Sequence, residues 1–60
     1  MKAYIIVVCF LDMDCERQYD NVAVATSKEL ADKLTAENPE WLDGHGDDPY
    51  FRVDEVDFFV

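Results

Sequence analysis

Ala3-Tyr4-Ile5-Ile6-Val7-Val8-Cys9-Phe10-Leu11 is an unbroken apolar run, rich in β-branched and aromatic side chains. It is too short to span a membrane as a helix, and no capping residue precedes it. Branched and ring side chains pack well on a pleated surface, so the run predicts a β-strand buried on both faces. Residues 12–20, beginning Asp12-Met13-Asp14-Cys15-Glu16, read as a polar, acidic connection. Asn21-Val22-Ala23-Val24-Ala25-Thr26 reads as a second strand, with Val22 and Val24 on one face and Ala23 and Ala25 on the other.

A helix follows. Thr26-Ser27-Lys28-Glu29 fits a capping box with Thr26 as the cap, and Ser27 is the alternative cap. Leu30, Ala31 and Leu34 form its apolar stripe, while Lys28–Asp32 and Glu29–Lys33 are opposite charges at i,i+4. Pro39 ends the helix by biasing Asn38 away from helical angles. Residues 38–49 read as a loop, with Trp41 and Leu42 folding back over the end of the core. Residues 50–60 form the last strand, whose apolar positions change phase at Asp54-Glu55. Either a β-bulge there restores one apolar face, or the strand is apolar on both sides.

The expected fold is therefore a single ββαβ domain over residues 1–60, of the α+β class. The most apolar strand belongs in the middle, giving sheet order 2-1-3 with the first strand antiparallel to both neighbours and one helix on one face. That topology sends the first hairpin loop and the helix-to-strand loop out of the same end of the sheet. Asp12, Asp14, Glu16 and Asp20 come from the former. Glu37, Glu40, Asp43, Asp47 and Asp48 come from the latter. These nine residues form an expected acidic pole suited to a basic partner surface, with the helix C-terminus adding negative charge.

Charge bounds the function. Fourteen acids against five bases leave a formal charge of −9 on 60 residues, which excludes the counterion displacement that direct nucleic-acid binding requires. Half of the residues are hydrophobic, so the chain is no disordered acidic tail. Cys9 reads as a core residue and Cys15 as a loop thiol, which together with the absence of a cleavage-site pattern implies a cytoplasmic protein with reduced thiols. Asp12-x-Asp14-x-Glu16 and Asp43-Gly44-His45-Gly46-Asp47-Asp48 carry hard oxygen ligands, but the first lacks the glycine and closing glutamate of a calcium loop. His45, between two glycines, reads as a flexible loop residue. No cofactor, metal or membrane is expected. No nucleophile–base pair or phosphate-cradling loop stands out, so an enzyme is not expected either.

One helix covers one face of three strands. Tyr4, Ile6, Val8 and Phe10, with Phe58, are expected on the uncovered face, offering a surface for a homodimer or a second protein, unless Trp41, Leu42 and Tyr50 close over it. Docking of such a domain on a basic protein surface, by imitation of nucleic-acid charge, is the leading expectation. A self-associating structural domain and a divalent-cation module are the alternatives.

The opening Tyr-Ile-Ile-Val-Val strand, the joint Asn21-Val-Ala-Val-Ala-Thr-Ser-Lys-Glu-Leu-Ala-Asp-Lys33 and the closing Tyr50-Phe-Arg-Val-Asp-Glu-Val-Asp-Phe58 carry a resemblance. The chain is similar to a broad set of very small, uncharacterised bacterial and phage proteins of ββαβ type. The resemblance implies an accessory or inhibitor role acting on host components, in the host cytoplasm if phage-encoded, and implies no catalytic residue.

Overall fold

The run around Val7 is the centre of the sheet. In the computed structural model, which describes residues 1–57, β1 (Lys2–Leu11) lies between β2 (Arg17–Ala25) and β3 (Asp47–Asp57), antiparallel to both, in the order β2-β1-β3. Ile6, Val7, Val8 and Cys9 are fully or almost fully buried, as the middle of a two-sided strand must be. The fold is the expected small α+β ββαβ arrangement.

Between β2 and β3 the chain forms α1 (Lys28–Glu37) and a 3-10 turn at Pro39–Leu42. Ser27, and not Thr26, caps α1: its Oγ accepts from the Leu30 N–H at 3.1 Å. At the other end Asn38 donates both its backbone N–H (3.0 Å) and its side-chain amide (2.8 Å) to the Leu34 carbonyl. Of the expected i,i+4 pairs neither forms; Lys33 lies 3.9 Å from Glu37 instead.

Two register shifts set the faces. Along β1–β2 the pairing passes from Ile6↔Ala23 to Val7↔Asn21, leaving Val22 as the extra residue of a bulge. Val22 joins Ala23 against the helix-side core, while Val24 is 66% exposed on the opposite face, so the two valines do not share a side. On β3, pairing runs without interruption from Lys2↔Asp57 to Cys9↔Tyr50, so no bulge occurs at Asp54. The irregularity lies at the strand's start, between Tyr50 and Asp47, where Asp48 adopts a φ of 50°. The phase change in β3 reflects the other expectation: Phe51 and Val53 pack on the helix side, and Val56, opposite Ala3, faces away.

The core forms around Ile6, Ala25 and Ala31, with Tyr4, Leu34, Trp41, Phe51 and Val53 packed against it. Tyr4, Ile6, Val8 and Phe10 therefore do not form an open face: they share the helix side of β1, and Ile6 and Val8 are completely buried. The reason lies in the neighbours. Ala23 and Ala25 stand opposite Ile6 and Tyr4, and their small side chains leave room for α1 to settle, with Ala31 completely buried against Ile6 and Ala25. Phe58, expected beside them, lies outside the described residues.

Candidate interaction surfaces: an acidic end and a strapped sheet face

Leu11 pairs with Arg17 on one side and with Asp47 on the other, so both acid-bearing connections leave the sheet at the same end. The first is a tight hairpin. Asp12 donates its N–H to the Glu16 carbonyl (2.9 Å), Cys15 donates to the Asp12 carbonyl (3.0 Å), and Cys15 takes a φ of 59°. This is a turn followed by a left-handed residue, the usual geometry of a three-residue hairpin loop.

Asp12 organises it. One carboxylate oxygen accepts from the N–H groups of Asp14 and Glu16, both at 2.9 Å, and the other accepts from Gln18 Nε2 at 2.9 Å. The Glu16 N–H, then the Gln18 amide, hold its carboxyl below the ordinary aspartate range. Its lone pairs are thus engaged within the hairpin and not directed, with those of Asp14 and Glu16, toward a shared cation. Among the described residues no group of three or more His, Cys, Asp or Glu side chains converges as a metal site.

The second connection is docked. His45 stacks against Phe10 with ring centroids 5.2 Å apart, and its Nε2 lies 2.9 Å from Asp20 Oδ2. Its side chain is only 18% exposed and its Nδ1 is buried without a hydrogen-bond partner, which corrects the expectation of a flexible loop residue. Gly46 explains how the loop comes so close: a Cβ there would run into the Leu11 carbonyl oxygen and the Phe10 ring. Asp20 is thus not at the tip of the pole but within β2, opposite Val8. Glu37 closes α1, Glu40 sits in the 3-10 turn, Asp43 follows it, and Asp47 and Asp48 open β3. Among the described residues no cation pairs with Asp12, Asp14, Glu16, Glu40, Asp43, Asp47 or Asp48.

Arg17, the base nearest in sequence, is turned to the other side. Its Nη1 donates to Tyr50 Oη at 2.6 Å, and its guanidinium lies 5.7 Å from the Tyr50 ring centre. Arg52 lies 4.8 Å from the centre of Tyr19 and holds Asp54 through two 2.8 Å hydrogen bonds. Tyr19 and Tyr50 both stand opposite Cys9, one on each neighbouring strand. The two Arg–Tyr pairs therefore form parallel diagonal straps across β1, and they account for how Val7 and Cys9 are buried on a face without a helix. Beyond the straps, Ile5, Val24 and Val56 form a barer aliphatic half of the same face.

The straps were not anticipated from sequence, although a signal existed. Arg17-Gln-Tyr19 and Tyr50-Phe-Arg52 each place an arginine and a tyrosine two residues apart, hence on one side of a strand. No protein-family model, curated protein or solved structure matches the chain. Among the described residues no helix is long and apolar enough to cross a membrane.

Proposed function

We propose that this is a binding protein whose acidic end docks on a basic protein surface, occupying a groove of the kind that holds nucleic acid. The observation that carries the reading is the exit of both carboxylate-bearing connections beside Leu11, with seven of their nine acids lacking a cation among the described residues. Like charges so gathered cost stability and raise encounter rates with a positive partner. The proposed compartment is the cytoplasm, where buried Cys9 and exposed Cys15 stay reduced.

The test is binding to a panel of basic, nucleic-acid-binding proteins at low and high salt, with duplex DNA as competitor. Affinity should fall steeply with salt, DNA should compete, and Asp14→Lys with Asp43→Lys should abolish capture. Salt-insensitive binding, or binding unchanged by the double reversal, rejects this reading. Self-association is a second reading, favoured by the aliphatic half of the sheet face that α1 leaves uncovered.

A further inference from the structure

The charge of the molecule is unevenly divided. On the sheet face away from α1 the register places Arg17 and Arg52 with Asp54, and Asp47 of the acidic end stands at its margin beside Leu11, so the face itself carries no net negative charge. The whole formal charge of −9 therefore lies on the helix side, the loops and the acidic end. Two copies meeting through any of those surfaces would bring like charges together. Through the neutral face they would not. The same face presents Tyr19 at 54% exposure, Tyr50 at 46% and Val24 at 66%, the aromatic, arginine and aliphatic mixture on which protein interfaces are anchored. The molecule measures 39 × 24 × 11 Å, so its broad side is comparable to the ~800 Å² that each partner contributes to a standard interface.

We infer that a second copy of this chain docks on this face, with a two-fold axis running across the strands near Val7. The axis direction follows from the division of the face into halves. An axis along the strands would stack the Arg–Tyr straps of one copy on those of the other and bring four guanidinium groups together. An axis across the strands lays each copy's Arg17–Tyr50 strap over the other's Ile5, Val24 and Val56, a self-complementary contact. It brings only Arg52, already paired with Asp54, near its own mate. It also points the two acidic ends in opposite directions along the molecule's longest dimension. The two sheets then form an aligned sandwich, their backbones about 10 Å apart. This inference deepens the self-association reading and is independent of what the acidic end binds.

Sedimentation equilibrium of the full chain should show a monomer–dimer equilibrium. Val24→Asp, at an exposed position, should leave the far-UV spectrum unchanged and weaken the dimer about tenfold or more. Orientation is read with Cys9→Ala, Cys15→Ser protein carrying either Val24→Cys or Tyr19→Cys and a thiol-to-thiol linker spanning about 10 Å. A mixture of the two variants should cross-link, and each variant alone should not. A monomer at all concentrations, or a dimer indifferent to Val24→Asp, overturns docking on this face. Efficient cross-linking of Val24→Cys to itself overturns the axis while leaving self-association in place. None of these outcomes bears on capture by a basic partner.

Discussion

Cys15 occupies a backbone conformation that glycine adopts freely and a cysteine adopts at a cost, with φ at 59° in the hairpin turn. Cys15→Gly should therefore stabilise the protein by about 1 kcal/mol, offset in part by the greater freedom of glycine in the unfolded chain. Cys15→Val, branched at Cβ, should destabilise it; thermal melts of the three proteins under reducing conditions check both signs. Asp12 supplies a different handle. Because its folded carboxyl is held below its unfolded value, its contribution is present above the ordinary carboxylate range and lost as pH falls through the folded value. Other acids at the same end relieve repulsion when protonated, so the residue is isolated by difference. Asp12→Asn should lower the melting temperature at neutral pH, and the gap to the parent should narrow as pH is taken below about 4.

Sheet order was legible at the level of elements, and the reason is simple: only β1 is apolar at every position from Ala3 to Leu11, so only it can be flanked on both sides. That same uniformity concealed which side α1 would cover. Even-numbered and odd-numbered residues of β1 are equally apolar, and the choice rests with Ala23 and Ala25, small enough to admit a helix, against Tyr19, Tyr50, Arg17 and Arg52, long enough to lie down. The start of β2 was hidden for a related reason, since Arg17 to Asp20 are polar residues of an outer strand and read as a loop. The Val22 bulge has no periodic signature at all, because it resets the period on which such readings depend. If the straps seal β1, they should shield a thiol. In dilute Cys15→Ser protein, Cys9 should react slowly with a thiol reagent, and Tyr19→Ala or Arg52→Ala should speed labelling several-fold. Equal rates would mean that the strands alone bury it. On the helix side, Ala31→Leu should cost about 1–3 kcal/mol in chemical denaturation, because a side chain at no exposure has no room to grow.

For the whole molecule, the gathering of both acidic connections at one end was foreseen from topology, and the register beside Leu11 reproduces it. The engagement of Asp12 and Asp20 within that end was not foreseen, since hydrogen bonds to Gln18 and His45 depend on a hairpin geometry and a glycine contact that composition does not carry. A chain at −9 repels itself, so its melting temperature should rise when salt is added from a low level to about 0.15 M, where screening acts over roughly 8 Å. A flat response would indicate that the carboxylates are already neutralised by bound counterions or spaced too far apart to interact.

The irregularities at Val22 in β2 and at Asp48-Pro49 in β3 fall on the two outer strands, one on each rim of the sheet. A displaced residue on one rim, and on the other a left-handed aspartate followed by an imino acid with no amide hydrogen, deny an incoming ribbon the even row of donors and acceptors it would need. Lateral addition of a strand is thereby disfavoured at those two points, and the regular stretch of β3 from Tyr50 to Asp57 is the edge left open to it.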